Sequence, residues 1–322
     1  MAHIAPIPPQ AIEPAASAAP AAIPANLSDP AVQTRSRVRA QMDLEFAHDA
    51  ETGCTRLRAS HQEPPLKAVR TFAAADGAAL LHLHNVSGGL LGGDELSLKV
   101  NLAPGAIVQL TTTGATRIYR PRADSAPTRQ ANQITVGKNA LLEYVPDPII
   151  PYARARFSQR TTIHLSPGAG LFWWEILSPG REAHGEVFQY ESLELSTDVV
   201  AGGRPICSER VRLRPGEHDL ASAARMGSHR YWATFYICRV GAESRAWRAL
   251  EDRIRDQATA LYPLNGVHHE ARWGVSTLPS DGLVVRGMAH HGRDAYAGLL
   301  AFWRVAKLAL YGKEPVLPRK LN

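Results

Sequence analysis

Alternation with a period of two constrains this chain more than any other feature. From about residue 36 to 240, apolar and polar residues trade places in one stretch after another, the pattern of strands with one buried face. In 94–102, Leu96, Leu98, Val100 and Leu102 fall on one face, and Glu95, Ser97, Lys99 and Asn101 on the other. Val108, Leu110 and Thr112 continue the pattern, and similar stretches occupy 55–60, 80–86, 130–136, 140–145, 161–165, 171–177, 187–195 and 209–213. Strand follows strand with turn residues between, which points to an all-β body and away from alternating strands and helices.

A weak repeat runs through this body: a strand, a small turn, and a second strand. Its copies end their first strand at Leu102, Val136, Leu165 and Leu213, before Pro104-Gly105, Gly137-Lys138-Asn139, Pro167-Gly168 and Pro215-Gly216. Proline followed by glycine suits the central positions of a type II turn. Recurrence of one turn chemistry predicts stacked β layers, a superhelical or solenoid-like body, with a plain β-sandwich as the alternative. Two segments depart from it. Trp247, Leu250, Ile254 and Ala258 recur at helical spacing, as do the apolar residues of 294–311, where Gly312 is a natural stop. The second helix has a wide apolar face that includes Leu299, Phe302 and Trp303, and such a face needs a cover.

Charge excludes several classes of function. Among 322 residues, 36 Lys and Arg against 30 Asp and Glu leave +6, spread along the chain and not gathered into the stripe of a nucleic-acid binder. Cys54, Cys207 and Cys238 form no CxxC pair, which suits a reducing compartment. Charges interrupt each apolar run short of a membrane span, and no signal peptide is recognisable, so a cytoplasmic location is expected. Residues 1–35 are rich in Ala and Pro and read as a disordered tail; 36–322 form the folded domain.

The most unusual local sequence is 84–94, where Gly88-Gly89 and Gly92-Gly93 flank two leucines before Asp94. Doubled glycines signal left-handed backbone and close approach. No Gly-Lys-Ser/Thr follows and a strand comes next, so a phosphate cradle lacks its helix. The loop is either a structural turn pair or a means of presenting Asp94 to an interior passage. His82 and His84 share a strand face but lack defined further ligands, and the pairs His268-His269 and His290-His291 read as packing or surface groups. Glu143, Glu175 and Glu209 stand inside predicted strands beside apolar or aromatic neighbours; where one is buried, it needs a partner, a metal or a wet cavity. No nucleophile elbow, Cys–His signature or glycosidase pair is present, so no catalytic residue is assigned.

Taken in order, several blocks resemble the UreD (UreH) family of urease accessory proteins. They are 84–94 with 102–106 and 112–120, then 142–151, then Trp174-Glu175 with Gly180-Arg181 and Gly185-Glu186, and the ending 318–322. The resemblance covers 36–322. It implies a non-enzymatic protein that joins UreF and UreG, docks on apo-urease and helps deliver nickel through an interior water-filled passage. It also allows a dimer within the accessory complex. On that implication Asp94 and Glu209 match acidic passage residues, with Glu175 and Glu186 as weaker matches, and Asp147 departs from the Gln or Glu common at its position. Nickel would be transient and no cofactor tightly held; a conduit needs weak oxygen ligands, not a Cys/His cage. The alternative is a pure scaffold that opens urease without carrying metal. The helix 294–311, through Leu299, Phe302 and Trp303, is the expected UreF-binding region, contacting UreF directly or through the surface it supports. Neither nucleic acid nor membrane is an expected partner.

Overall fold

Backbone N–H and C=O groups must find partners, and half-apolar strands separated by short turns find them in one another. The computed structural model describes residues 37–74, 76–261 and 271–318. The chain divides into 1–36 and 37–322, so the expected tail lies outside the described residues, as do His268, His269 and 319–322.

Two antiparallel pairs come first: β1 (Arg39–Asp49) with β2 (Cys54–Gln62), and β3 (Leu66–Ala73) with β4 (Ala79–Asn85). β5 (Glu95–Leu102) and β6 (Ile107–Thr112) form a strand–turn–strand unit, followed by the short β7 (Thr116–Ile118). A second unit is β8 (Thr128–Val136) with β9 (Leu141–Tyr144), followed by the short β10 (Ile149–Pro151); the third is β11 (Arg156–Leu165) with β12 (Gly170–Leu177). After these come β13 (Ser192–Ala201), β14 (Arg204–Leu213), β15 (Tyr231–Arg239), α1 (Ser244–Ala260), β16 (Ala271–Thr277), β17 (Gly282–Ala289) and α2 (Gly292–Tyr311).

The strands form two sheets. The first has the order β14-β13-β11-β8-β5-β1-β2 and the second β16-β17-β15-β12-β9-β6-β4-β3, with β7 and β10 attached to the second. In each of the three units the first strand joins the first sheet and the second strand the second, and successive units lie parallel. The protein is therefore mainly β, with two α-helices among the described residues.

The turns behave as expected in three of the four copies. Gly105, Asn139 and Gly168 take left-handed φ values of 72°, 53° and 73°. The fourth fails: Gly216 is not left-handed, and Glu217 and His218 both donate to the Arg214 carbonyl. β14 runs antiparallel to β13, so its C-terminus lies at the opposite end of the strands from the ends at which the parallel strands step across. The strand expected at 187–195 begins only at Ser192, because Phe188 is held left-handed at φ 53° and donates its N–H to the Pro179 carbonyl.

Three apolar clusters hold these layers together. Two lie between the sheets: one includes Val100, Ile134, Ile163, Val199, Leu171 and Trp173, the other Phe157, Leu177, Leu193 and Leu195. The third lies on the outer face of the second sheet, where Phe172, Trp174 and Phe235 meet Trp247, Leu250, Leu299, Phe302 and Trp303 of the helices. The last three are fully buried, so the wide face of α2 is covered by its own sheet. Any partner of α2 must meet its outer side, where Leu308 is 40% exposed. Gly312, at φ 65°, closes the helix as expected, its N–H bonded to the Leu308 carbonyl. No helix among the described residues is long and apolar enough to cross a membrane.

Candidate functional site

The two inter-sheet clusters are separate because a polar row runs between them. Register pairing places Leu98, Asn132, Thr161, Thr197 and Glu209 side by side across β5, β8, β11, β13 and β14. Each occupies an inward position of its alternating strand, yet after Leu98 every member is polar, and Asn132, Thr161 and Thr197 are buried. Such groups must be bonded or wet. Asn132 Nδ2 donates to Thr161 Oγ1 at 3.0 Å and accepts at Oδ1 from Gln130 Nε2 at 3.1 Å.

The second sheet answers with Glu175, Thr234 and Tyr236. Gln159 Nε2 donates to Glu175 Oε1 at 2.5 Å, and Tyr236 O–H donates to Glu209 Oε2 at 3.0 Å. Arg286 grips Glu209 with its fork: Nε to Oε1 and Nη2 to Oε2, each at 3.0 Å. Glu175, Thr197, Glu209 and Tyr236 line one small pocket. Burial pushes the Glu175 carboxyl up to about 7; the Gln159 amide opposes this, and the Glu209 charge adds to it. At the other end of the row, Gln130 and Tyr144 line a cavity of about 280 Å³, together with Asn85, Gly88, Gly89 and Thr112.

The doubled glycines work as a pair of pairs. Gly88 and Gly93 supply left-handed backbone, with φ of 77° and 91°. Gly89 and Gly92 supply room: a Cβ would stand 2.6 Å from the Arg117 carbonyl oxygen or 2.8 Å from Pro121 Cβ. Asp94 closes this loop by accepting the Leu91 N–H at Oδ2, 2.8 Å away. It is buried at the foot of β5, four strand spacings from β14, roughly 19 Å. Asp94 and Glu209 therefore do not meet at one site, whereas Glu175 and Glu209 do.

Glu186 is elsewhere and committed. It pairs with Arg181 and accepts the Ala153 N–H at 3.0 Å, and the Arg181 guanidinium holds its carboxyl down at about 2. Asp147 Oδ2 accepts from Thr112 Oγ1 at 3.0 Å, beside the larger cavity. His84 lines that cavity, while His82 meets Phe72 edge to face; His290 lies against His229. No group of three or more His, Cys, Asp or Glu among the described residues is placed to hold a metal ion.

Glu143 lies on the other side of the second sheet. It pairs with Phe172 across β9 and β12, three residues from Glu175, and so faces the helices. There Lys307 Nζ of α2 stands 2.8 Å from Glu143 Oε1 and 3.6 Å from Asp76 Oδ2, with all but 2% of the Lys307 side chain buried.

Gln159, Asn132, Thr161, Thr197, Tyr236, Arg286 and Lys307 were not singled out from the sequence. Asn132 and Thr161 did carry a signal, since each stands seven positions ahead of the left-handed turn residue of its unit, Asn139 or Gly168. Aligning the units on those turns would have shown polar residues recurring at one inward position.

Comparison with known proteins gives a consistent result. The family model described as UreD urease accessory protein matches residues 38–322. A urease accessory protein UreD from Herpetosiphon aurantiacus is 44% identical over 285 residues, covering 88% of this chain and 97% of that protein. Those of Klebsiella pneumoniae and Pseudomonas fluorescens are 33% and 30% identical, each covering 87% of this chain and 94% of the relative.

Proposed function

The chain belongs to the UreD family of urease accessory proteins, and from that premise we propose that it works in the cytoplasm as a non-catalytic conduit. With UreF and UreG it passes nickel to apo-urease, and the ion travels along the polar row between the sheets. The observation that carries this reading is that row: buried hydroxyls, amides and two carboxylates replace the apolar core at one level and link two pockets.

The ligand chemistry suits transit. Asn, Thr and Gln side chains offer single neutral oxygens, weak ligands for a divalent ion that keeps its own waters. Glu175 and Glu209 supply negative charge, and Glu175, with its carboxyl near 7, exchanges a proton for an ion at little cost. Asp94 builds the loop beside the larger cavity and acts on the path through that loop.

The test is to wall off the row without emptying it. Thr161→Val with Thr197→Val keeps side-chain volume while removing two hydroxyls. The variant should still co-purify with UreF and urease, and the urease it matures should hold less than half the normal nickel by metal analysis. Full nickel content from an assembled complex would exclude the row as the path and favour a scaffold that opens urease without carrying metal.

A further inference from the structure

We infer that the groove between the outermost strands β14 and β16 receives an acidic, apolar-anchored segment of a partner protein, whose carboxylates draw Arg286 off Glu209. This goes beyond the conduit reading and does not depend on nickel moving through the row.

The groove has a volume of about 650 Å³, between β14, the 214–230 loop and strands β15 to β17. Five of its lining residues are arginines: Arg212, Arg214, Arg225, Arg272 and Arg286. Three carboxylates serve them. Glu194 is shared by Arg212 and Arg214, Glu217 pairs with Arg214, and Glu209 pairs with Arg286. Arg225 and Arg272 are exposed and pair with no carboxylate among the described residues; Arg225 reaches only Ser222 Oγ, at 3.4 Å. The unmatched positive charge calls for an anionic occupant, and guanidinium forks prefer planar carboxylates.

The rest of the lining favours a peptide over a nucleic acid. Leu213, Met226, Trp232, Trp273 and Met288 give it an apolar floor. β14 and β16 are each the last strand of their sheet, the position at which an extended segment adds by strand pairing.

Arg286 connects this groove to the interior. It lines the groove, with a side chain 43% exposed, while the Glu209 it grips is 11% exposed and lines the inter-sheet pocket. A carboxylate entering from the groove competes with Glu209 for one guanidinium. Coupling of this kind is reciprocal: whatever weakens the hold of Glu209 on Arg286 strengthens groove binding.

The probe is a fluorescein-labelled dodecapeptide of glutamates around a central Leu-Phe pair, titrated into the full chain by fluorescence anisotropy. Arg225→Glu with Arg272→Glu should weaken binding at least 30-fold. The same charge change on α1, Arg248→Glu with Arg253→Glu, should weaken it less than threefold. Equal losses in the two variants, or equal competition by a single-stranded oligonucleotide of matched charge, would overturn the groove as a peptide site. Glu209→Gln should tighten peptide binding three- to tenfold, because Arg286 is then free to turn outward. Unchanged affinity in Glu209→Gln would overturn the competition for Arg286.

Discussion

Glu143 and Glu175 stand on neighbouring strands of one sheet, and in each burial pushes the carboxyl up to about 7. They face opposite sides of that sheet, and what they meet there differs. Glu143 meets the ammonium of Lys307 beside the aromatic cluster under the helices, a pair that ties α2 to β9. Glu175 meets an amide, a tyrosine and a second carboxylate, and pairs with no cation among the described residues. A buried carboxylate answered by a cation belongs to the architecture. One answered by amides and hydroxyls keeps its capacity to take up a proton or an ion, so the surroundings and not the degree of burial separate structural from functional acid.

The sharpest way to break this contrast is to remove the cation. Lys307→Met leaves Glu143 buried without its partner and should cost about 3–5 kcal/mol at pH 8. The loss should shrink at pH 5, where Glu143 is protonated, as urea unfolding at the two pH values would show. A loss of under 1 kcal/mol at pH 8 would mean that the pair does not anchor the helix.

Glu175 should respond in the opposite direction. Its folded value, about 7, lies above the ordinary 4.5, so it is protonated in both states at low pH and costs nothing there. As pH rises through that window the unfolded chain releases its proton first, and stability falls. Glu175→Gln removes this cost and should stabilise the protein by up to about 3 kcal/mol at pH 8 and by nothing at pH 4. A stability gain independent of pH would show that the carboxyl titrates normally.

A smaller effect separates row from core on one strand. Thr161→Val strands the Asn132 amide and should cost roughly 1–2 kcal/mol, whereas Ile163→Val, one inward position along, should cost about 1 kcal/mol by lost packing alone. Adding Asn132→Val should recover part of the first loss and none of the second, as a double-mutant cycle by thermal unfolding would reveal. The smallest shift is electrostatic: Glu209→Gln removes a like charge and should lower the Glu175 carboxyl, followed by carbon NMR titration. A rise would mean that Glu209 acts on Glu175 through something other than its charge.

Alternation made the strands legible, and the Pro-Gly turns marked where units cross between sheets. Which face each acid takes was not legible. Glu143 and Glu175 look alike in sequence, each in a strand beside an aromatic residue, and only pairing of β9 with β12 sets them on opposite sides. Lys307 sits among apolar residues of α2, and nothing local says that its ammonium turns inward to two carboxylates distant in sequence, Glu143 of β9 and Asp76 of the β3–β4 turn. The apolar face of α2 was legible as a face needing cover, but the cover is the protein's own second sheet.

The order of strands in the sheets has a consequence in time. After the two antiparallel pairs, and apart from the short β7 and β10, each sheet adds its strands in the order in which the chain is made, except that β16 and β17 are exchanged at the far end. A ribosome releasing this chain delivers each new unit to an edge that already exists, so assembly can proceed as the protein is synthesised and need not wait for the last residue. The polar positions then arrive one layer at a time, from Asn132 through Thr161 and Thr197 to Glu209. Arg286 emerges well after them. Until its strand docks, the growing molecule carries an open acidic end, and closing that end is among the last events in its birth.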